Sequence, residues 1–156
     1  MSDAPAVMLI EDDRDYVDVV VRALGKANVA VALRVVSDGQ EALDVLGLSD
    51  DGGRPWAPLP RVMFLDLKMP RVDGWEVLRR VRAARNTAHL PVVVVSASDR
   101  PEDMVRSYAL GANSYLLKRF DPRGPGANLA EAVRYWVEMN RVPIEWESRS
   151  WRIPRP

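Results

Sequence analysis

The sequence predicts an α/β domain built on a parallel five-stranded sheet, and three observations lead to this fold class. Short apolar runs alternate five times with segments whose apolar residues recur at helical spacing. No two of these runs are joined by a tight hairpin turn, so each pair of strands is connected through a helix. The first run is apolar throughout, which is typical of a strand buried on both faces. Right-handed crossovers then place helices on both faces of the sheet.

The first half of the chain predicts two strands and two helices. Ala6–Ile10 is the first apolar run and stops abruptly at three acids. A helix follows with Asp13 as its amino-terminal cap and ends around 25–28, because Val17, Val20, Val21 and Leu24 have i, i+3, i+4, i+7 spacing. Residues 31–36 predict the second strand, and a short helix marked by Ala42, Leu43 and Leu46 runs into Gly47. Residues 49–60 are rich in glycine and proline and predict a surface loop.

The second half continues the alternation. Strands are predicted at Val62–Leu65, 92–95 and Ser114–Leu117, and the first two are continuous apolar runs. Helices are predicted at 74–84, with Val77, Leu78 and Val81 facing inward, and at 101–110, with proline in the first turn and Gly111 at the carboxyl-terminal cap. The last helix carries Leu129, Val133, Trp136 and Val137 and ends before Pro143. The expected architecture is doubly wound and flavodoxin-like, with strand order 2-1-3-4-5 and ligands at the carboxyl ends of the strands.

Length and composition exclude several classes of protein. A chain of 156 residues favours one domain, predicted here at 1–141, with a tail at 142–156 that is too short for an effector domain. Twenty-two basic residues balance twenty-two acidic ones, so nucleic acid is not an expected partner. The absence of cysteine excludes disulfides, thiolate zinc sites and cysteine nucleophiles. With no basic leader and no apolar run of spanning length, we expect no membrane association and a cytoplasmic location.

Five polar residues follow the predicted strands at one edge of the sheet. Glu11 and Asp12 follow strand 1, Asp66 follows strand 3, Ser96 follows strand 4 and Lys118 follows strand 5. Carboxylates that meet at one point repel one another unless a positive charge lies between them. Mg²⁺ prefers oxygen ligands and is commonly bound by one or two carboxylates together with a phosphoryl oxygen. These five residues therefore predict a magnesium-dependent phosphoryl-transfer site, in which the Ser96 hydroxyl and the Lys118 ammonium group contact the phosphoryl oxygens.

Each of these residues also has a simpler interpretation. Asp13 is expected to be only a helix cap, and Glu11 and Asp12 fit a solvated helix start. Asp66 fits a turn cap, Ser96 a helix cap and Lys118 a solubilising charge. The chain has only three lysines against nineteen arginines. A lysine at position 118 therefore indicates that a compact point charge is required there. Joint placement of five such groups at one edge favours the functional interpretation.

Four motifs resemble the receiver domains of two-component response regulators over roughly residues 6 to 140. They are Leu9-Ile-Glu-Asp-Asp, Phe64-Leu-Asp-Leu-Lys-Met-Pro-Arg-Val-Asp-Gly-Trp-Glu, Val94-Val-Ser-Ala and Tyr115-Leu-Leu-Lys. The resemblance implies that Asp66 accepts a phosphoryl group from a histidine of a sensor kinase. It also implies that Asp12, Asp66 and the main-chain carbonyl of Lys68 bind Mg²⁺, with Glu11 acting through a metal-bound water. Ser96 and Lys118 would contact the phosphoryl oxygens, and Tyr115 would be an aromatic switch residue; without the family, Tyr115 is interpreted as a half-buried strand aromatic.

A narrower resemblance points to phytochrome-associated single-domain response regulators. It is carried by Arg106-Ser-Tyr-Ala-Leu-Gly-Ala-Asn-Ser-Tyr-Leu, by the insertion before strand 3, and by the Tyr135-Trp136 helix with its proline-containing tail. It implies a homodimer through helix 4, strand 5 and helix 5, and a bacteriophytochrome as the sensor kinase.

Several features depart from the family or lie outside its motifs. Arg119 stands where most receivers have a proline after the lysine, so either a costly cis bond precedes it or the bond is trans and the loop differs. The Lys68 side chain either reaches the phosphoryl group and alters its hydrolysis or is solvated. His89 precedes strand 4 at the opposite end from the acids and is expected in a loop. Trp146 and Trp151 in the tail either pack on the domain or mark an interface.

Three other functions fit parts of the pattern. A haloacid-dehalogenase-type phosphatase needs a second aspartate two residues after the nucleophile, where this chain has Lys68. A nucleotide- or flavin-binding protein needs a phosphate-binding turn after strand 1, where this chain has three acids. A receiver-like scaffold that signals by contacts without phosphorylation is the remaining alternative. The complete set of five site groups favours an active phospho-acceptor, a signalling protein rather than a metabolic enzyme.

Overall fold

Five parallel strands form the sheet of this computed structural model, which describes residues 4–51 and 59–142. The strand order is β2-β1-β3-β4-β5, so the predicted fold class and topology are confirmed. The strands are β1 (Ala6–Ile10), β2 (Ala32–Val36), β3 (Val62–Leu65), β4 (Val92–Ser96) and β5 (Ser114–Leu117). In register, Ile10 of β1 lies beside Leu65 of β3, and Ser96 of β4 lies beside Leu117 of β5. The carboxyl ends of the strands therefore meet at one edge.

In the described part of the chain, five α-helices connect and follow the strands. They are α1 (Arg14–Lys26), α2 (Gly39–Leu46), α3 (Gly74–Ala83), α4 (Pro101–Ala109) and α5 (Ala127–Arg134). Asp13 caps α1 as predicted, because its carboxylate accepts hydrogen bonds from the main-chain N–H groups of Asp15 (2.9 Å) and Tyr16 (3.2 Å). Most observed ends lie within one or two residues of the predicted ones. Two predicted segments lie mostly outside the described residues. They are the loop at 49–60, of which 52–58 are outside, and the tail at 142–156, of which 143–156 are outside.

The last helix differs from the prediction in its second half. The α-helix ends at Arg134 and the chain continues as a π-helical turn, Tyr135–Met139. The N–H of Asn140 donates to the carbonyl of Tyr135 five residues earlier, at 2.8 Å. The Arg61 side chain donates to the carbonyl of Val137 at 3.0 Å, which gives that carbonyl a partner outside the helix. Val137, which lies within this wider turn, is buried against the sheet.

Two apolar layers cover the two faces of the sheet. Residues of α2 and α3 pack on one face, around Met8, Ile10, Met63 and Leu65. Residues of α1 and α5 pack on the other face, around Leu9, Phe64, Val93 and Val95. Successive residues of β1 and β3 therefore face opposite apolar layers, which explains why these strands are apolar at every position. Within the described ranges, no helix is long and apolar enough to cross a membrane.

Candidate functional site

Three carboxylates converge where β1 and β3 end. One oxygen from each of Glu11, Asp12 and Asp66 can be chosen so that all three lie within 4.8 Å of one another. Glu11 and Asp66 are buried, whereas Asp12 is exposed. Oxygen ligands at this spacing, open to solvent on one side, fit a hard divalent cation that keeps several waters.

Lys118 enters this cluster from the end of β5. Its ammonium nitrogen lies 2.6 Å from Oε2 of Glu11 and 3.6 Å from Oδ1 of Asp66. Its side chain is 16% exposed, so these are partly desolvated ion pairs rather than surface ones. The main-chain N–H of Lys118 donates to the carbonyl of Ser96 at 2.8 Å, which fixes the lysine beside β4.

The cluster carries more negative charge than Lys118 can balance. Burial raises the pKa of Glu11, and the hydrogen bond from Lys118 only partly offsets it. Burial also raises the pKa of Asp66, opposed by the charge of Lys118 and by hydrogen bonds from the backbone of Lys68 and Leu67. Two acids whose charged forms are disfavoured by burial, beside a third acid, favour the binding of a cation.

A close backbone contact positions Asp66. The N–H of Asp66 donates to the carbonyl of Ile10 at 3.0 Å, which ties the end of β3 to β1. Gly74, the first residue of α3, donates to the carbonyl of Leu67 at 3.0 Å. A Cβ atom at Gly74 would lie only 2.2 Å from the carbonyl oxygen of Asp66, so only glycine fits there. The Asp73-Gly74 pair thus lets α3 begin directly behind Asp66, with Asp73 as its cap.

A chain of hydrogen bonds leads from Ser96 to β5 and α4. The hydroxyl oxygen of Ser96 accepts from the N–H of Ser98 at 3.1 Å, and the Tyr115 hydroxyl donates to the Ser98 carbonyl at 2.9 Å. The Ser98 hydroxyl donates to the carboxylate of Asp103 on α4 at 2.6 Å. Ser98 therefore connects the end of β4 to both neighbouring elements.

The other predicted residues lie as follows. Lys68 is exposed two residues after Asp66, and the role of its main-chain carbonyl stays a prediction. Asp13 turns its carboxylate to the α1 backbone. His89 is exposed in the turn before β4, at the opposite end of that strand from Ser96.

Two residues at the site were missed by the sequence interpretation. Ser98 was missed because a serine in a polar loop carries no periodic signal, although its place two residues after Ser96 fits a hydroxyl-stabilised turn. Tyr16 was missed because its position in the first turn of α1 identifies only a helix residue. In the structure its ring faces Lys118, with the ammonium nitrogen 4.5 Å from the ring centroid.

Comparison with known proteins identifies the family. The family model described as the response regulator receiver domain matches residues 7–132. The chain therefore belongs to the response regulator receiver domains, the signalling phospho-acceptors of two-component systems. It is 34% identical over 137 residues to the probable methanogenesis regulatory protein FilR2 of Methanothrix harundinacea, covering 88% of this chain and 86% of FilR2.

Two solved structures of response regulators, one of them a phytochrome response regulator, are similar to this chain. The phosphorylated cyanobacterial phytochrome response regulator RcpA has a TM-score of 0.77 and 27% identity, covering 90% of this chain and 99% of RcpA. The Mn²⁺-bound form of response regulator Rcp1 has a TM-score of 0.73 and 25% identity, covering 89% of this chain and 99% of Rcp1. Rcp1 of Synechocystis sp. is also 28% identical over 137 residues in sequence. The predicted resemblance to phytochrome-associated regulators is thereby confirmed.

Proposed function

We propose that this protein is a phosphorylation switch in which Asp66 accepts a phosphoryl group from the phosphohistidine of a sensor kinase. The observation that carries the proposal is the convergence of Glu11, Asp12, Asp66 and Lys118 at the strand ends of a receiver domain. In the transfer, an oxygen of Asp66 forms a bond to phosphorus while the bond from phosphorus to the histidine nitrogen breaks. The electron pair of that bond stays on the imidazole, which takes up a proton.

The residues present fit Mg²⁺. Glu11, Asp12 and Asp66 supply carboxylate oxygens, and we assign the main-chain carbonyl of Lys68 as a further ligand and a water-mediated role to Glu11. When bound, the cation neutralises charge on the phosphoryl oxygens and on the acids. Lys118 contacts another phosphoryl oxygen, because its ammonium group already lies 3.6 Å from Asp66. The similar structure of Rcp1 is of its Mn²⁺-bound form, which supports a divalent cation as a ligand of this protein.

The output of the switch runs through Ser96. A Ser96 hydroxyl that turns to a phosphoryl oxygen gives up the N–H of Ser98 and so loosens the loop after β4. Ser98 bonds to Tyr115 on β5 and Asp103 on α4, so both elements respond. Tyr115 is the switch residue in this proposal, and α4 with β5 forms the responsive face.

The same face is proposed as the homodimer interface, together with the last helix. Val105 and Tyr108 on α4 are 69% and 52% exposed, and β5 is an edge strand. We expect Val105→Asp to lower the dimer fraction in sedimentation velocity, because a buried unpaired charge is costly. Val21→Asp, a change at an exposed valine on α1, is the control and leaves the dimer intact. Equal dimer fractions in the two variants would contradict this interface.

The kinase partner is proposed to be of the phytochrome class, a bacteriophytochrome, which the similarity to RcpA and Rcp1 supports. We also propose that the receiver domain spans 1–141 and is followed by a tail from 142. The proposed location is cytoplasmic. The protein assists its own phosphoryl transfer and slow dephosphorylation, and it has no separate metabolic substrate.

The proposal is tested by intact mass spectrometry after incubation with acetyl phosphate and Mg²⁺. We expect one added phosphoryl group in the wild type and none in Asp66→Asn or in the presence of a chelator. Asp13→Asn is the matched control, since Asp13 caps α1, and should accept the group normally. Absence of an adduct in the wild type would favour the alternative of a scaffold that signals without phosphorylation.

A further inference from the structure

Lys118 is held by three groups, and one of them is an aromatic ring. Its ammonium nitrogen lies 2.6 Å from Glu11, 3.6 Å from Asp66 and 4.5 Å from the ring centroid of Tyr16. A cation at this distance over an aromatic face is attracted by the negative charge of that face. The ring of Tyr16 is therefore a third attractive contact of the ammonium group, besides the two carboxylates.

Tyr16 is itself firmly placed. It lies in the first turn of α1, where its N–H donates to the capping carboxylate of Asp13 at 3.2 Å. It is half-buried and packs against the apolar layer beneath α1 and α5. Burial, followed by the charges of Glu11 and Asp66, raises the pKa of Tyr16, so its hydroxyl stays neutral. The ring thus offers a fixed, uncharged face.

The lysine side chain needs such support. Four methylene groups give Lys118 many rotamers, and its ammonium group has no fixed directional preference. The ammonium nitrogen lies closer to Glu11 than to Asp66. The attraction of Glu11 therefore draws the ammonium group away from Asp66, the acceptor residue. An aromatic ring that attracts the cation narrows the range of positions that the ammonium group can occupy.

We propose that Tyr16 is a positioning residue for phosphoryl transfer, whose ring holds the ammonium group of Lys118 within reach of the phosphoryl group on Asp66. The inference rests on the proposed phospho-acceptor function and extends it to a residue outside the five strand-end groups. With acetyl phosphate as donor, the bond from phosphorus to an Asp66 oxygen forms and the bond to the acetate oxygen breaks. Acetate leaves with the electron pair, and the oriented lysine balances charge on the transferred group.

The kinetic test compares ring-bearing and ringless variants. Tyr16→Phe keeps the ring and removes the hydroxyl, whereas Tyr16→Leu and Tyr16→Met keep an apolar side chain and remove the ring. With acetyl phosphate and Mg²⁺, we expect the leucine and methionine variants to be phosphorylated about tenfold more slowly, and the phenylalanine variant within about twofold of wild type. Because two ringless variants are compared, slower phosphorylation caused by loss of the ring can be told apart from a folding defect of one variant.

The contact is tested independently by nuclear magnetic resonance without any phosphoryl donor. The chain has only three lysines, Lys26, Lys68 and Lys118, so lysine-selective labelling gives only three sets of terminal methylene signals to compare. Protons above a ring face are shielded, so the Lys118 signal should lie upfield of the other two in wild type and Tyr16→Phe. It should move to their position in Tyr16→Leu. Loss of the signal in Lys118→Arg assigns it.

The outcomes are distinct. A ringless variant phosphorylated at the wild-type rate, or an unchanged Lys118 signal in Tyr16→Leu, overturns the inference. A phenylalanine variant as slow as the leucine one overturns it as well, because the hydroxyl would then carry the effect. A wild type that accepts no phosphoryl group overturns the proposed function and the positioning role together, while the methylene shift still reports on the contact.

Discussion

Replacing Gly74 with alanine is expected to lower the free energy of unfolding by about 3 kcal/mol, the upper range for overpacking. The new Cβ would lie 2.2 Å from the carbonyl oxygen of Asp66 and 2.8 Å from Cα of Leu67. Both neighbours are backbone atoms at the end of β3, so neither can rotate away as a side chain does. Either α3 or the acceptor segment must shift. Urea unfolding followed by circular dichroism measures the loss.

The same substitution is expected to slow phosphorylation, because the atom that it displaces belongs to the acceptor residue. Gly25→Ala is the matched control, since Gly25 lies in α1 and a Cβ atom added there would have no atom of the described residues within 4 Å. That variant should gain about 0.5–1 kcal/mol from the better helix propensity of alanine. Equal stabilities of the two variants would show that α3 does not depend on this close approach.

Replacing Asp66 with asparagine is expected to raise the free energy of unfolding at neutral pH in the absence of divalent cations. The carboxylate is buried beside Glu11 and Asp12, and burial raises its pKa. The carboxyl group of Asp66 therefore ionises less readily in the native state than in the unfolded state. Asparagine has nearly the same shape and removes the charge.

The sign of the pH dependence follows from linkage. A native pKa above the unfolded value means that stability from this group is fully present below the unfolded pKa and is lost as pH rises through the native pKa. The advantage of Asp66→Asn over wild type should therefore be absent in acid and should grow toward neutral pH. Saturating Mg²⁺ should reduce it, because the cation stabilises only a native site with its ligands intact.

Thermal unfolding across pH with and without Mg²⁺ measures this dependence. Asp18→Asn is the control, since Asp18 is exposed on α1. Its difference from wild type should not change on addition of Mg²⁺, because Asp18 is not one of the three clustered acids. An Asp66→Asn variant that is less stable than wild type at neutral pH would contradict the view of the cluster as a site of excess negative charge.

Most of the fold was predictable because its signals are local. The apolar runs at Ala6–Ile10 and Val62–Leu65 and the cap at Asp13 each follow from neighbouring residues. The π-helical turn at Tyr135–Met139 was not predictable, since the apolar spacing there fits an α-helix equally well. The side chain of Arg61, which is distant in sequence, donates to the carbonyl of Val137 within this turn. Periodicity alone cannot identify such a contact.

The site was predictable to the extent that topology brings strand ends together. Glu11, Asp12, Asp66 and Lys118 do meet, as the parallel order requires. What the pattern could not reveal is how Lys118 divides its contacts between Glu11, Asp66 and the ring of Tyr16. Those distances depend on side-chain rotamers and on the packing of α1 against the sheet.

Asp66, and no other acid of the cluster, is expected to carry the phosphoryl group. Borohydride reduces an acyl phosphate to an alcohol, so treating the phosphorylated protein and sequencing its peptides by mass spectrometry identifies the acceptor. We predict reduction of residue 66 to homoserine, with Glu11, Asp12 and Asp13 unmodified. Reduction at one of those three acids, or at none of the four, would contradict the assignment of Asp66 as the phospho-acceptor.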